Sequence, residues 1–201
     1  MPEPLTESVI EPRVVHVVCA MVKPDAPAEA VDHALDLARA MTGAPGTRRV
    51  LCGADAGLVV AATWLDGRAA LEPFAASPPH MAFVMRGLAP CIRGMWSAGV
   101  ETDAPPPEAA AALWVFGVRD SETLYEWQVR DLAEAVDALP GYAAAGPTFE
   151  ERDRYRAGGV VALAADEVEP FRVALDAARA TWGDVAALIT DGFVMLDGSG
   201  A

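Results

Sequence analysis

The chain has 201 residues, a formal net charge of −14 and a hydrophobic fraction of 53%. So acidic a protein repels polyanions, which argues against nucleic acid as a partner. A charged fraction of only 22% together with this hydrophobic content excludes wholesale disorder. We therefore expect a folded protein with a substantial core.

The sequence carries no pattern typical of secretion or membrane insertion. Residues 1–11 have neither a basic start nor a long apolar run, and no segment reaches the roughly 18 uninterrupted apolar residues of a membrane span. We expect a cytoplasmic protein that does not contact membranes. The three cysteines, Cys19, Cys52 and Cys91, include no close pair, which predicts buried free thiols rather than disulfides or a zinc site.

A run of three prolines, Pro105, Pro106 and Pro107, divides the chain nearly in half. Consecutive prolines lack backbone donors and hold the chain extended, so neither a helix nor a central strand crosses them. The chain is therefore predicted to consist of an arm, a first repeat, a linker and a second repeat, at residues 1–12, 13–103, 104–110 and 111–197.

Hydrophobic periodicity predicts the same element order, β-α-β-β-α-β, in both halves. The first half contains a strand, a helix, two hairpin strands, an interrupted helical stretch and a strand, at residues 14–22, 28–41, 47–52, 58–65, 66–91 and 95–101. The second half repeats them at residues 112–118, 121–139, 142–149, 155–164, 166–181 and 185–196. Glu-Pro-Phe occurs near the start of the second helix in both halves, at residues 72–74 and 169–171, which favours a duplicated unit.

A ferredoxin-like sheet carries helices on only one face, so its other face needs a cover. Two such sheets in one chain can bury those faces against each other. We therefore predict an α+β fold in which two tandem ferredoxin-like repeats form an intramolecular α/β barrel. A further homodimer of the whole chain is possible.

The highly specific catalytic motifs are missing from the sequence, including phosphate-binding glycine loops, HExxH, CxxC and GxSxG. Among the three histidines, His33 follows Asp32 on the polar side of a helix and is expected at the solvated surface. Strand alternation places His16 on one face with Val14 and Val18, which we expect to point into the barrel. There His16 is either a hydrogen-bonded wall residue or a ligand contact.

Several large side chains are further candidates for a ligand cavity. Most tryptophans pack in cores, yet Trp64 either lines the cavity or packs under a helix, and Trp114 begins the second half. Tyr125 lies in the following helix, from which its phenol could reach the cavity mouth. Arg86, on a mainly apolar helix, is either a snorkelling arginine or a substrate clamp.

Residues 59–66 (VVAATWLD), 69–71 (AAL) and 74–83 (FAASPPHMAF) resemble the antibiotic biosynthesis monooxygenase family of dimeric α/β barrels. In that family a strand ends in tryptophan plus an acidic residue, and a Ser-Pro-His turn leads into the next helix. Here the turn has an extra proline. By motif position the resemblance implies wall and proton-handling roles for Trp64 and His80. Because the second half has Ala164 in place of Trp64 and lacks the Ser-Pro-His turn, we expect one working cavity.

Members of that family oxygenate polyketide anthrones and quinols without metal or flavin, and relatives cyclise polyketides or bind haem. The resemblance therefore implies a cofactor-independent monooxygenase of antibiotic biosynthesis that combines O2 with a small, hydrophobic aromatic substrate of polyketide type. The expected catalytic residues are His80, Trp64 and Tyr125, and the expected substrate contacts are His16, Arg86 and Trp114. The alternatives are a polyketide cyclase of the same fold, a non-catalytic ligand-binding barrel, and a haem-binding barrel with His16 or His80 as axial ligand.

Overall fold

A computed structural model of the chain describes residues 12–55, 57–149 and 155–196. The predicted arm lies outside these residues apart from Pro12. The first half contains four strands: β1 (Arg13–Val22), β2 (Thr47–Asp55), β3 (Leu58–Leu65) and β4 (Ile92–Thr102). Its helices are α1 (Ala28–Ala40), α2 (Leu71–Ala75), α3 (Pro78–Ala82), a π-helix (Phe83–Leu88) and α4 (Ala89–Cys91), with short 3-10 turns at Met41–Gly43 and Arg68–Ala70.

The second half repeats this arrangement, with one continuous helix in place of the broken helical stretch. Its strands are β5 (Ala112–Arg119), β6 (Tyr142–Pro147), β7 (Tyr155–Leu163) and β8 (Ile189–Met195), and its helices are α5 (Glu126–Asp137), α6 (Val168–Arg179) and a 3-10 helix (Gly183–Leu188). None of the helices in the described ranges is long and apolar enough to span a membrane.

Each half forms one four-stranded antiparallel sheet, and the two sheets have the same strand order, β2-β3-β1-β4 and β6-β7-β5-β8. The register is also the same, because Val14 lies opposite Leu65 in the first sheet and Ala112 lies opposite Leu163 in the second. A residue of β1 therefore corresponds to the residue 98 positions later in β5. The predicted α+β fold with two tandem ferredoxin-like repeats is confirmed.

The two sheets pack face to face, so the interior has three layers of core. The middle layer lies between the sheets and contains residues from both halves, including Val15, Val17, Trp64, Val115 and Val160. The outer layers lie between each sheet and its own helices. The three cysteines are buried free thiols, as predicted, and burial raises the pKa of Cys19 to about 12.

The expectation for the two faces of β1 is wrong. Val15, Val17 and Cys19 point between the sheets, whereas Val14 and Val18 belong to the helix-facing core and His16 packs against Phe74 of α2. The alternation of side chains along a strand separates its two faces. It shows which face points inwards only when the other face is exposed to solvent and therefore polar. Here both faces are covered, and the more uniformly apolar one faces the partner sheet because that interface is the drier of the two.

Two element boundaries differ most from the sequence prediction, the start of one helix and the start of the last strand. The helix predicted at 121–139 begins only at Glu126, because Ser121–Leu124 forms a turn with a hydrogen bond of 3.0 Å from the Leu124 N–H to the Ser121 carbonyl. The Gln128 side chain then accepts a hydrogen bond of 2.9 Å from the Tyr125 N–H, which satisfies one donor at the helix start. The last strand, predicted at 185–196, begins only at Ile189, because residues 185–188 belong to the 3-10 helix Gly183–Leu188.

The helical stretch of the first half is broken where the sequence places Ser77-Pro78-Pro79. The Ser77 hydroxyl caps α3 by accepting a hydrogen bond of 3.4 Å from the His80 N–H, and Pro78 occupies the first helical turn, where its missing donor costs nothing. Six residues of π-helix follow directly. Such local widening of a helix is rare and is found frequently at functional sites.

Candidate active site

An open cavity of about 670 Å³ lies between the helix-facing side of the first sheet and the broken helical stretch. The sheet contributes His16 and Val18 from β1 and Met95 and Ser97 from β4. The helices contribute the remaining lining residues, Leu71, Glu72, Phe74, Ala75, His80 and Val84. The cavity is therefore apolar on most sides and carries four polar groups, His16, Glu72, His80 and Ser97.

His80 is held in a defined tautomer. Its Nδ1 lies 2.9 Å from the Ala75 carbonyl oxygen. Because a carbonyl oxygen can only accept, Nδ1 carries a proton, and in the neutral imidazole Nε2 is then the atom with the free lone pair. Burial lowers the pKa of His80 below its ordinary value, and the nearby His16 lowers it further, against the opposing effect of the Ala75 hydrogen bond. At neutral pH the ring is therefore an uncharged acceptor.

Three rings form one wall of this cavity. Phe74 lies 4.8 Å from His80 and 6.1 Å from His16, measured between ring centroids, and the two imidazoles are 6.4 Å apart at an interplanar angle of 65°. Phe74 is buried on the core side, so it fixes the two histidines at the edge of the apolar space. A ligand in the cavity therefore contacts aromatic and aliphatic surface beside two imidazoles.

The corresponding place in the second half is filled. Register places Trp114 at the position of His16, Phe116 at that of Val18, and Phe193 at that of Gly99. Trp114 stacks on Phe116 with ring centroids 4.7 Å apart, and Phe171 packs 5.6 Å from Trp114. These rings occupy the volume that is open in the first half.

The polar side chain at this position of the second half, Asp191, already has partners within the protein. Asp191 corresponds to Ser97, since each lies opposite the equivalent residue of the central strand. Its carboxylate pairs with Arg179 and accepts a hydrogen bond from Trp114 Nε1. The two halves thus have the same backbone arrangement. Among the described residues, this position is an open cavity in the first half and is filled by packed rings in the second.

Of the six site residues predicted from sequence, the structure brings His16 and His80 together in the cavity. Trp64 instead lies fully buried between the two sheets, where its Nε1 donates a hydrogen bond of 3.0 Å to the Tyr142 hydroxyl. Trp114 is part of the filled site in the second half. Tyr125, 60% exposed at the start of α5, and Arg86, exposed on the π-helix, are not among the described lining residues.

Sequence reasoning missed the cavity residues of β4, Met95 and Ser97. The available signal was the comparison of β4 with β8, because Ser97 and Gly99 are small where Asp191 and Phe193 are large. That comparison requires the strand register, which the letters alone did not supply. Phe74 occurs in the repeated Glu-Pro-Phe and in the family-like stretch 74–83, but neither pattern predicts that its ring lines a cavity.

Comparison with known proteins identifies the fold. No family model matches the sequence, and no curated protein matches it. A solved structure from Fusobacterium nucleatum aligns over 95% of this chain and 96% of its own, with a TM-score of 0.58 and 12% identity. A second, from Lactobacillus acidophilus, aligns over 93% and 94% with a TM-score of 0.55 and 11% identity. Both are described as candidate monooxygenases.

A shorter protein from Thermobifida fusca, described as dimeric and ferredoxin-like, covers 45% of this chain with 92% of its own, at a TM-score of 0.42 and 14% identity. This chain is an α/β barrel of two ferredoxin-like repeats in a single polypeptide. Its two sheets face each other across a shared core. At these identities the likeness concerns the fold, and function has to be argued from the cavity.

Proposed function

We propose that the protein is a cofactor-independent monooxygenase that oxidises a phenolic, anthrone-type or quinol-type molecule of aromatic polyketide origin in the first-half cavity. The observation that carries the proposal is His80, whose Nδ1 is bound to the Ala75 carbonyl and whose Nε2 is the acceptor atom of a neutral imidazole. The fold of the two full-length structural neighbours, both candidate monooxygenases, supports the same reaction class.

The shape of the cavity favours a flat, mainly apolar substrate. Its volume of about 670 Å³ falls within the usual range for small-molecule sites, roughly 300–1,000 Å³. Phe74, Leu71 and Val84 supply apolar contact, whereas His16 and Ser97 supply hydrogen bonds to phenol or carbonyl oxygens. A fused aromatic ring system with oxygen substituents at its edge matches this distribution.

In the proposed chemistry, the substrate itself supplies the electrons that reduce O2. His80 Nε2 removes a proton from the anthrone or quinol, leaving a delocalised carbanion. The carbanion passes one electron to O2, and the resulting substrate radical and superoxide combine and take up a proton to form a carbon-bound hydroperoxide. Loss of water from the hydroperoxide leaves a carbonyl, so a CH2 group and O2 become a C=O group and water, and no external reductant is needed.

The role of the protein in this scheme is to hold the substrate and to move the proton. A base works best when it is unprotonated at the working pH and lies within hydrogen-bond reach of the proton that it removes. The lowered pKa of His80 satisfies the first condition. After proton transfer the imidazolium keeps its hydrogen bond from Nδ1 to the Ala75 carbonyl, which favours the charged form.

Oxygen consumption with 1,8-dihydroxyanthrone tests the proposal. We expect stoichiometric O2 uptake with formation of the anthraquinone, and a fall in kcat of about a hundredfold or more for His80→Ala, as for loss of a general base. His33→Ala on the exposed face of α1 is the matched control and should retain the parent rate.

Other outcomes point to the alternative functions. Conversion of a polyketide substrate without O2 uptake would identify a cyclase. Tight binding of the anthrone with no turnover would identify a ligand-binding barrel. A Soret band in the purified protein that disappears in His16→Ala or His80→Ala would identify a haem protein. Each of these results would overturn the monooxygenase proposal.

A further inference from the structure

A second pocket, of about 390 Å³, lies in the other half of the molecule and shares no residue with the histidine cavity. One side is formed by α5, through Trp127, Gln128, Asp131, Leu132 and Ala135. The other side is the segment 181–185, which connects α6 to the 3-10 helix before β8. The pocket is therefore built from two elements that are distant in sequence.

Trp127 lies on the exposed side of α5 and is not part of the core. The side chain is 56% exposed, and the buried face of α5 is formed by Val129, Leu132 and Val136 instead. At the equivalent position of α1, 98 residues earlier, the first half has the exposed Glu29. Since an exposed indole on a helix gains little for stability, its position at a pocket edge indicates a contact surface.

The charged residues that line this pocket are both acidic. Asp131 lies on α5 and Asp184 on the opposite side. Arg130 approaches Asp131 only to 3.8 Å between Nε and Oδ1, and both side chains are more than half exposed, so this pair neutralises the carboxylate weakly. In a protein of net charge −14, two carboxylates beside an indole ring make an environment that attracts cations.

Trp182 provides an independent sign of a missing partner. It lines the pocket, and its Nε1 is buried without a hydrogen-bond partner among the described residues. A buried donor without an acceptor is costly, and in a native protein its acceptor is often a water molecule or a ligand. The turn that carries this ring depends on Gly183, whose φ of 54° lies in the left-handed region.

We propose that this pocket binds an organic ammonium ion that also carries an acceptor oxygen, the chemistry of a quaternary amino alcohol. Indole faces attract quaternary ammonium groups, and the two carboxylates supply the opposite charge. A turn of the Trp182 ring towards the pocket lets its Nε1, which this structure buries, donate to the ligand oxygen. The proposal is independent of the monooxygenase function, because it concerns different residues in the other half.

Three small probes separate the parts of this recognition. Choline carries both the charge and the oxygen, tetramethylammonium carries only the charge, and 3,3-dimethylbutan-1-ol has the shape and oxygen of choline without the charge. The protein has five tryptophans, so its indole N–H signals can be followed individually by NMR at constant ionic strength. We expect saturable shifts of the Trp127 and Trp182 signals with choline, weaker binding of tetramethylammonium, and no saturable shift with the alcohol.

Substitutions then locate the binding. Trp127→Ala should weaken choline binding by about three- to thirtyfold, the range of a cation–π contact. Asp184→Asn should also weaken it, whereas Asp32→Asn, the same charge change on exposed α1, should not. Because Trp127 also borders a shallower surface with Tyr125 and Glu126, Tyr125→Ala is the control for binding on that side of the ring and should leave affinity unchanged.

Several results would overturn the proposal. These are the absence of saturable shifts at tens of millimolar choline, equal binding of the neutral alcohol, and loss of binding in Tyr125→Ala with retention in Asp184→Asn. The first would show that the pocket takes no ammonium ion, the second that it is merely apolar, and the third that the cation lies outside it.

Discussion

His80 illustrates how one backbone contact decides the chemistry of a side chain. The break at Ser77-Pro78-Pro79 brings the imidazole back towards Ala75, whose carbonyl fixes the proton on Nδ1. Phe74 covers one side of the ring and the cavity opens on another. The same contacts that orient Nε2 also remove the ring from water, so orientation and lowered pKa have a common structural origin.

The titration of His80 should therefore be displaced to low pH. Its folded pKa lies below the ordinary value of 6.5 because burial and the facing His16 both disfavour the charged form. The hydrogen bond to the Ala75 carbonyl acts in the opposite direction, and the exposed Glu72 lines the same cavity. An NMR titration of the three imidazoles should give His80 a midpoint below 6.5, and kcat/KM should rise with pH through that midpoint.

The stability of the protein should follow the same group. Between the lowered folded pKa and the ordinary value, unfolded His80 binds a proton that the folded ring does not, so acidification favours unfolding. This contribution to stability is complete above pH 6.5 or so and is lost as the pH falls through the folded pKa. Urea unfolding at pH 8 and pH 5 should show a smaller loss of stability for His80→Gln than for the parent. An equal loss in both proteins would contradict the assignment.

At the scale of elements, β1 with β4 and β5 with β8 show that one backbone arrangement can give an open or a filled site. The strand register is the same, yet Val18 and Gly99 leave space where Phe116 and Phe193 fill it. Side-chain volume at a few register positions therefore decides which half has an open cavity.

The substitution Val18→Phe should close the first-half cavity. Phenylalanine is the residue that the chain itself accommodates at the equivalent position, Phe116, and Val18 borders open space beside Met95 and Ser97. We expect loss of anthrone binding and O2 uptake, with a change in the free energy of unfolding within about 1–3 kcal/mol. Calorimetric titration and urea unfolding of the same sample measure the two effects.

The mirror substitution, Phe116→Val, is the control. It removes a ring from the packed cluster beside Trp114, so it should destabilise the protein by the cost of a buried void while leaving O2 uptake unchanged. Retained turnover in Val18→Phe, or lost turnover in a folded Phe116→Val, would place the reaction outside the first-half cavity.

Much of this architecture could be predicted from the sequence, because it depends on local sequence patterns. The order β-α-β-β-α-β follows from periodicity and turn residues, and the Ser-Pro-Pro-His turn led to His80. The sequence could not predict which face of β1 points between the sheets. The strand lies between a helix layer and a second sheet, so both of its faces are apolar. The sequence also could not predict the cavity. It exists because Ser97 and Gly99 are small, and the residues that lie beside them depend on the long-range strand register.

On the scale of the whole molecule, side-chain contacts between the two sheets join the two repeats. Trp64 of the first half donates a hydrogen bond to Tyr142 of the second, and Trp96 packs against Tyr155 with ring centroids 5.5 Å apart. Either sheet alone would expose its share of this apolar layer to water. The second half, with its filled site, therefore stabilises the half that carries the cavity.

Close approach of the sheets depends on Gly158 of β7. A Cβ there would lie 2.7 Å from Ala98 Cβ of β4 and 3.0 Å from the Phe116 carbonyl oxygen. The first contact crosses between the halves, so Gly158→Ala should push the sheets apart and destabilise the protein by about 1–3 kcal/mol. Gly146→Ala in β6 is the matched control, because a Cβ there meets nothing within 4 Å and should leave stability unchanged or slightly raised.

The form of the unfolding transition then tests whether the halves fold together. Circular dichroism reports the helices of both halves, whereas tryptophan fluorescence reports Trp64 and Trp96 in the layer between the sheets together with three tryptophans of the second half. If that layer couples the repeats, the two signals should give one coincident urea transition in the parent, and Gly158→Ala should shift both to lower urea by the same amount. A biphasic curve in which Gly158→Ala displaces only one phase would mean that the halves unfold separately. In that case the filled half would contribute nothing to the stability of the cavity.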